Sequence, residues 1–331
     1  MVCLEERRKR NSSEVDTIMS SIKILQGNCL DRLRDLPEKS VNTCVTSPPY
    51  FGLRNYGITD QLGMEETPDQ FTENLVKLFR EVRRVLRDDG TVWLNLGDSY
   101  CSINGYARAS PEFQRKGRNN APANNRSLSE LHKANIKTKD LIGIPWRVAF
   151  ALQADGWYLR QDIIWSKPNP MPESVQDRCT KSHEYIFLLS KSPKYYYDNE
   201  AIKEKVKQDW GTRDRSSGKY HNEGTGLQPH SGLEKSYETK NKRSVWSVSP
   251  MPYKEAHFAT YPPELIKPCI LAGCPEGGTV LDPFGGSGTT AQVSNNLNRN
   301  AILCELNPEY VEIAKGRLQE SLGMFLNMEI L

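Results

Sequence analysis

A short turn near the start of the chain combines a hydroxyl group, two prolines and an aromatic ring, in the order Ser47, Pro48, Pro49 and Tyr50. It follows the apolar, β-branched stretch 40–46, which predicts a buried strand. Because two prolines cannot continue a central strand, the chain must turn where the strand ends. Ser47 Oγ and the Pro48 carbonyl could accept hydrogen bonds from an amino group there, and Tyr50 could stack on a flipped-out base. Such a turn suits reaction at a conjugated NH2 group, a poor nucleophile that must be held in place.

A glycine loop forms a second candidate site, between a predicted strand at 279–282 and a predicted helix. Glycine lets a ligand approach the backbone closely, and the helix N-terminus offers free N–H groups. Glu305 ends the next predicted strand, where an acid can accept hydrogen bonds from ribose hydroxyls. Loop and acid together predict an adenosine-containing cofactor. The residues assigned to it are Asp282, Pro283, Phe284, Gly285, Gly286, Ser287, Gly288, Thr289 and Glu305.

Several other kinds of site are disfavoured by spacing. Thr289 and Thr290 follow Gly288 directly, so the dinucleotide-binding GxGxxG pattern is incomplete, and no lysine follows the glycines as in a Walker A loop. Cys269 lies in an apolar helical pattern, which favours a buried thiol over a nucleophile that attacks a cytosine ring. The eight cysteines form no CxxC pair and the histidines show no metal spacing, so neither disulfides nor a metal site are predicted.

Strands and helices alternate along the chain, which predicts an α/β protein with a mostly parallel sheet. The clearest helix begins at Pro68, with Thr67 and Gln70 forming a capping box, and is predicted to end at Gly90. Besides the strands at 40–46 and 279–282, strands are predicted at 22–26, 91–96, 157–165, 185–189 and 301–304. Further helices are predicted at 30–36, 140–154, 262–272 and 308–322.

The two motifs together resemble those of the amino-methylating DNA methyltransferases, over about residues 21–320. The stretch 46–50 is similar to their catalytic motif and 282–288 to their cofactor loop. Because the catalytic motif comes first, the order resembles the permuted β-group of that family. The resemblance implies a class I S-adenosylmethionine-dependent methyltransferase fold, with a mostly parallel seven-stranded sheet, helices on both faces and a circularly permuted order. It also implies S-adenosyl-L-methionine as cofactor and duplex DNA as partner.

The resemblance extends the list of cofactor residues. Segment 257–262 is similar to one that contacts the methionine end of the cofactor, and segment 26–30 to one near the adenine. Asn28 departs from the acid found in many relatives at that position. Beyond the loop and Glu305, the residues implied are Asn28, Cys29, Phe258, Thr260, Tyr261 and Asn307.

The target base is predicted from one residue and one segment. Serine at position 47 resembles the cytosine-N4 enzymes, as does segment 167–178, so methylation of N4 in a flipped-out cytosine is predicted. Adenine N6 is the alternative. A protein or RNA N-methyltransferase also stays open as an alternative, because planar amides pose the same chemical problem. An inactive DNA-binding module is a further alternative. Asp98 follows a strand near the site and suits either a ligand contact or a loop role.

Charge and composition suggest how the chain is divided. The net charge is only +3 over 331 residues, yet segment 102–139 carries eight basic and two acidic residues. This segment is either a DNA clamp or a solvated loop. The predicted parts are a disordered leader at 1–20 (Met19 being an alternative start), a catalytic half at 21–198, an insertion for target recognition at 199–245, and a cofactor-binding half at 246–331.

Partners and location follow from the same observations. The chain has no apolar run long enough for a membrane span and its opening residues form no secretory signal, so a cytoplasmic protein without a membrane partner is expected. The resemblance leaves open a homodimer and a companion restriction endonuclease, in a bacterial, archaeal or phage-encoded setting.

Overall fold

The computed structural model describes residues 20–53, 61–101, 135–206, 238–251, 261–322 and 327–331. Nearly all of the predicted leader, most of the basic loop and the middle of the insertion lie outside these ranges, as do Phe258 and Thr260. Within the described ranges, no helix is both long and apolar enough to cross a membrane.

A twisted sheet of nine strands forms the centre of the protein. In chain order the strands of the described residues are β1 (Ser21–Gln26), β2 (Val41–Thr46), β3 (Leu86–Leu96), β4 (Tyr158–Ser166), β5 (His183–Ser190), β6 (Glu204–Lys205), β7 (Thr239–Lys240), β8 (Val245–Ser247), β9 (Thr279–Asp282), β10 (Asn300–Glu305) and β11 (Asn327–Ile330). The spatial order is β11-β1-β10-β9-β2-β3-β5-β4-β8, while β6 and β7 pair separately. Within the nine-stranded sheet of the described residues, only β5 runs antiparallel to its neighbours, which confirms a mostly parallel sheet. The separate pair of β6 and β7 is antiparallel.

The predicted count of seven strands needs one correction. Seven strands do form the middle of the sheet, but β11 and β8 extend it at its two edges. Both are short and largely exposed, and Val245 in β8 is 59% exposed. Neither carries the apolar alternation that reveals a buried strand, so hydrophobic periodicity could not predict them.

Helices cover both faces of the sheet, as predicted. Those on one face are α1 (Cys29–Arg34), α2 (Pro68–Val85) and α3 (Ile144–Ala154), and those on the other are α4 (Pro263–Gly273), α5 (Thr289–Asn296) and α6 (Pro308–Leu322). Alternate strand residues serve the two faces. In β2, Cys44 packs with the cluster under α1 to α3, whereas Val45 packs with the cluster under α4. This alternation is what a parallel sheet buried on both sides requires.

Two predicted helix boundaries were wrong. α2 ends at Val85 and not at Gly90, because Leu86 is extended, fully buried and paired with Val41 of β2. α3 begins at Ile144 and not at Asp140, because Gly143 adopts a φ of +79° that interrupts a helix. Tertiary pairing thus overrides local helix preference in the first case, and a left-handed glycine does so in the second.

The parallel strands bring both motifs to one edge of the sheet. Gln26 of β1 lies beside Glu305 of β10, and Leu303 lies beside Asp282 of β9. β2 is the next strand, with Cys44 beside Leu281. The turn after β2 and the loop after β9 therefore leave adjacent strand ends, where α/β proteins bind ligands. The permuted order stays a prediction.

Candidate active site

A fully buried carboxylate joins the two motifs. Asp282, at the end of β9, accepts hydrogen bonds from the hydroxyls of Thr46 at 2.6 Å, Tyr261 at 2.8 Å and Thr290 at 2.5 Å, and from the backbone N–H of Phe284 at 3.0 Å. Burial raises the pKa of Asp282, and the hydrogen bonds oppose that rise. Because Thr46 precedes the turn at residues 47–50 and Thr290 lies in α5, the Asp282 side chain fixes that turn relative to the glycine loop.

These contacts give Asp282 and Tyr261 a clear structural role. Both carboxylate oxygens of Asp282 are directed into the protein, and the side chain is 1% exposed. The Tyr261 hydroxyl is buried beside Thr290 as well as Asp282. Direct contact of either residue with a cofactor stays a prediction.

The glycine loop is shaped by its backbone. Gly285 lies against β10, because a Cβ there would be 2.8 Å from Leu303 Cβ. Gly286 has a φ of +51°, and a Cβ there would contact only the Phe284 carbonyl oxygen, at 3.9 Å, so a ligand can approach it. Gly288 has a φ of +78° and precedes α5, packing close to Ala314 of α6. Glycine is required at these points for left-handed conformation or for close packing.

The polar side chains of Ser287 and Thr289 in the loop are hydrogen bonded to α6. Arg317 of α6 donates hydrogen bonds to Ser287 Oγ at 3.0 Å and to Thr289 Oγ1 at 2.8 Å. Ser287, Thr289 and Pro283 are buried, and Phe284 packs against the core under α1 to α3. The backbone of the loop, and not these side chains, is therefore the surface best placed to meet a ligand. Their predicted cofactor contacts stay predictions.

Glu305 fits the predicted role of a ribose acceptor. One oxygen accepts from the N–H of Gly286 and the other from the N–H of Asn307, both at 2.8 Å. Burial raises the pKa of Glu305, and these two hydrogen bonds oppose the rise. Each carboxylate oxygen retains a second lone pair, so the group can accept hydroxyl hydrogens as well.

Two asparagines at this edge cap helices. Asn28 Oδ1 accepts from the N–H of Leu30 at 2.9 Å, which begins α1, and Asn307 Oδ1 accepts from the N–H of Glu309 at 2.9 Å, which begins α6. Burial raises the pKa of Cys29 to about 12, so its thiol stays protonated at neutral pH. The sequence predicted cofactor contacts for Asn28, Cys29 and Asn307, and these stay predictions.

The turn at residues 47–50 is tied to two other strands, β3 and β5. The Tyr50 hydroxyl lies 2.6 Å from Glu184 Oε2 and 3.1 Å from Asn95 Oδ1, and Ser47 Oγ donates to it over a long 3.5 Å contact. A Cβ on Gly97 would be 2.4 Å from the Tyr50 ring, so the ring lies directly against that glycine. Sequence reasoning did not find Asn95, Gly97 or Glu184. The available signal was their position at the ends of predicted strands.

Asp98 has a loop role. Its carboxylate accepts from the N–H groups of Gly143 at 3.0 Å and Ile144 at 3.1 Å, so it caps α3, and burial raises its pKa. The ammonium of Lys181 donates to the Asp98 carbonyl at 3.0 Å, and burial lowers the pKa of Lys181. Of the two roles considered for Asp98, these contacts favour the structural one.

The residues set aside as structural have structural surroundings. Cys269 is 1% exposed and its thiol donates to the Leu265 carbonyl of the same helix, which confirms a buried thiol. All seven cysteines in the described ranges are free. Within those ranges, no group of three or more His, Cys, Asp or Glu side chains is arranged to hold a metal ion.

Two of the solved structures that share this fold are DNA methylases. The PvuII DNA methyltransferase (cytosine-N4-specific) superimposes with a TM-score of 0.60 at 18% identity, covering 95% of both chains. A putative DNA modification methylase of Thermus thermophilus, solved in complex with S-adenosyl-L-methionine, superimposes with a TM-score of 0.57 at 21% identity, covering 93% of this chain and 99% of that one. The class I methyltransferase fold is therefore confirmed.

Sequence relatives are much closer. The chain is 48% identical over 301 residues to the type II methyltransferase M.Cfr9I of Citrobacter freundii, covering 91% of this chain and 89% of that protein. It is 45% identical over 304 residues to the type II methyltransferase M.SmaI of Serratia marcescens, covering 92% and 93%. The model of the N6/N4 methyltransferase family, described as DNA methylase, matches residues 41–316. The chain therefore belongs to the N6/N4 DNA methylase family, and it is a DNA methyltransferase.

Proposed function

We propose that the protein transfers a methyl group from S-adenosyl-L-methionine to N4 of a flipped-out cytosine in duplex DNA. The observation that carries the proposal is the position of Ser47. It begins the turn after β2, and its neighbour Thr46 is hydrogen bonded to Asp282 at the base of the glycine loop. A serine in this place resembles the cytosine-N4 enzymes, and the turn adjoins the end of the sheet where the loop begins.

The turn provides acceptors for an amino group. Ser47 Oγ directs its own hydrogen toward the Tyr50 hydroxyl, which leaves its lone pairs for the hydrogens of a substrate NH2. The Pro48 carbonyl serves as the second acceptor, and the two prolines hold it in one orientation. Tyr50 stacks on the extruded base. Held in this way, the nitrogen can pyramidalise and direct its lone pair toward the methyl group.

The cofactor is held by the neighbouring strand ends. When bound, S-adenosyl-L-methionine supplies an electrophilic methyl group on a positively charged sulfur. Glu305 accepts hydrogen bonds from the ribose hydroxyls, and the accessible backbone at Gly286 contacts the ligand beside it. The segment at Asn28 and Cys29 lies next to Glu305 through the β1–β10 pairing, which suits a contact with the adenine.

A matched pair of glycine variants separates the fold from the cofactor site. Gly285→Val places its Cβ against Leu303 in the core, so we expect a lower melting temperature. Gly286→Asn brings its Cβ only into ordinary contact with the Phe284 carbonyl oxygen, at 3.9 Å, and asparagine tolerates a φ of +51°, so we expect weaker cofactor binding at a nearly unchanged melting temperature. Calorimetric titration and thermal unfolding measure the two effects. Wild-type cofactor affinity in Gly286→Asn would contradict the loop assignment.

Cofactor affinity is expected to depend on pH through Glu305. The ionised carboxylate is the better acceptor, and burial raises its pKa. Affinity should therefore be constant above that raised pKa and should fall as the pH decreases through it, at a higher pH than for an ordinary glutamate. Glu305→Gln should bind more weakly and lose this dependence. Parallel pH profiles for the wild type and Glu305→Gln would remove Glu305 from the site.

Mass spectrometry of nucleosides tests the target base. Duplex DNA from an unmethylated host is incubated with the protein and with cofactor carrying a deuterated methyl group, and digested to nucleosides. We expect N4-methylcytosine with the added mass of the label, and none in a reaction without cofactor. Labelled N6-methyladenine alone would establish the alternative base. Base-resolution sequencing of the same DNA would identify the recognition site.

The remaining partners are part of this proposal. The family is described as DNA methylase, and M.Cfr9I and M.SmaI are type II methyltransferases, which supports DNA as the substrate over a protein amide or RNA. A companion restriction endonuclease and a homodimer are implied by the family resemblance. We further propose that the insertion at 199–245 reads the recognition site. Its first part is anchored to the core by Ile202, which is 8% exposed, and its last residue begins β8. Transfer of label to a protein and to no duplex DNA would decide against all of these.

A further inference from the structure

A partly buried carboxylate lies at the hydroxyl end of the Tyr50 side chain. Glu184, the second residue of β5, places Oε2 2.6 Å from the Tyr50 hydroxyl. The side-chain amide of Asn95 donates to the same oxygen at 3.2 Å. Lys167 forms an ion pair with the other oxygen at 2.5 Å. The side chains of Glu184 and Lys167 are only 13% and 20% exposed, so water competes little for these contacts.

Each partner of Glu184 is itself held in place. Asn95 belongs to β3, and its amide also donates to the backbone carbonyl of Tyr185 at 3.0 Å. The ammonium of Lys167 lies 4.3 Å from the centre of the Trp165 ring, a favourable cation–π geometry. The carboxylate is therefore fixed from β3 and from the end of β4. A side chain held from two directions is suited to orienting a third group.

The Tyr50 ring is confined at its flank as well as at its hydroxyl. A Cβ on Gly97 would lie 2.4 Å from Tyr50 Cε2 and 2.9 Å from Cδ2, so the ring rests on the Gly97 backbone. Glu184 holds the opposite, polar end of the same ring. With the flank and the hydroxyl both fixed, the ring has one orientation available before any base arrives.

We propose that Glu184 is a positioning residue for methyl transfer, which holds the Tyr50 ring in the orientation that receives the target base, with Lys167 holding Glu184. This inference rests on the proposed function, because it requires a base stacked on Tyr50. A ring ordered in advance loses no rotational freedom when the base stacks on it. It also fixes the height of the base above the turn, and hence the line between the amino nitrogen and the methyl group.

The connection reaches the segment that follows β4. Lys167 is the first residue after that strand and opens the proline-rich stretch 167–172. That stretch begins the segment whose resemblance to the cytosine-N4 enzymes supports the choice of base. The ion pair of Lys167 with Glu184 thus links the start of this segment, through Glu184, to Tyr50, on which the base stacks in the proposed function.

A double-mutant cycle tests the proposal. Steady-state kcat and KM are measured with tritiated cofactor and duplex DNA that carries the protein's own site. We expect Glu184→Ala to lower kcat about tenfold to a hundredfold, the value of a hydrogen bond to a charged group, while cofactor affinity is unchanged. Tyr50→Phe should lower kcat to a similar extent. Because Glu184 acts through the phenol, Glu184→Ala should lower kcat no further in the Tyr50→Phe background.

Two more variants distinguish positioning from other roles. Glu184→Gln keeps an acceptor oxygen for the phenol and should recover most of the lost kcat. Glu184→Asp keeps the charge opposite Lys167 but withdraws the oxygen by one carbon–carbon bond, so it should behave like Glu184→Ala, and it carries the test if the alanine variant fails to fold. Glu81→Gln, in the partly buried ion pair with Arg84 on α2, is the matched control and should leave kcat unchanged.

The outcomes separate this inference from the proposed function. A wild-type protein that transfers no methyl group to duplex DNA contradicts the proposed function itself. With an active wild type, three results would each overturn the positioning role: wild-type kcat in Glu184→Ala and Glu184→Asp, additive losses in the cycle with Tyr50→Phe, or a glutamine variant as slow as the alanine variant. The last would show that the charge of Glu184 matters and not its acceptor geometry.

Discussion

Replacing Tyr50 with alanine is expected to lower the rate of methyl transfer to DNA about a hundredfold or more, through loss of a base-stacking contact and of the alignment it provides. The ring is the aromatic surface of the turn, and it is fixed by Glu184 and Gly97. Its loss leaves the acceptors at Ser47 and Pro48 in place but removes the surface that sets the base above them. Single-turnover transfer from tritiated cofactor measures the effect.

Cofactor binding by the same variant should be unchanged. The glycine loop is held by Arg317, and Glu305 is held by the N–H of Gly286, and both sets of contacts remain in this variant. Titration calorimetry should therefore give the wild-type dissociation constant. Tyr158→Ala removes a surface tyrosine that is 44% exposed on β4, and it controls for loss of an aromatic side chain. Undiminished turnover in Tyr50→Ala would remove Tyr50 from the site.

Replacing Asp282 with alanine is expected to reduce the free energy of unfolding by roughly 3–5 kcal/mol, because several buried donors lose their acceptor at once. The hydroxyls of Thr46, Tyr261 and Thr290 and the N–H of Phe284 all donate to this carboxylate. Asp282→Asn should lose less, because one oxygen remains and a hydroxyl can rotate to accept from the new amide. Chemical denaturation measures both.

The two Asp282 variants should also change catalysis and not only stability. Without the Thr46 contact, the turn is no longer held against the glycine loop, so methyl transfer should fall even at temperatures where the variant is folded. Asp162→Ala, at an exposed position of β4, is the control for removal of an aspartate. Wild-type stability in Asp282→Ala would show that the internal hydrogen bonds contribute little.

The strand and loop positions could be predicted because they depend on local patterns. Apolar runs located the seven central strands, and the prolines after Thr46 located the turn. Each motif was predicted to follow the end of a strand, and in the structure the Thr46–Asp282 hydrogen bond joins those two strand ends. The capping box at Thr67 was also predicted from four residues, and both of its hydrogen bonds are present.

Side-chain direction and long-range partners could not be predicted in the same way. Asp282 ends its strand as expected, but the sequence does not say that its carboxylate points into the protein. Glu184 and Asn95 meet at Tyr50 only because β5 lies between β3 and β4, an order that periodicity does not reveal. Arg317 reaches the glycine loop from a helix in a later part of the chain. Each of these contacts follows from topology and not from neighbouring residues.

The position of β1 has a consequence for how the protein is made. This early strand lies between β10 and β11, so its two neighbours are the last strands to be synthesised among the described residues. Until residues 300–305 have left the ribosome, β1 lacks both of the strands that pair with it in the described part of the chain, and Glu305 cannot be placed beside Gln26. Pairings of such large sequence separation also form slowly. We therefore expect that a nascent chain does not bind the methyl donor during synthesis. It should gain binding and activity in a single late step, when β1 pairs with β10 and β11.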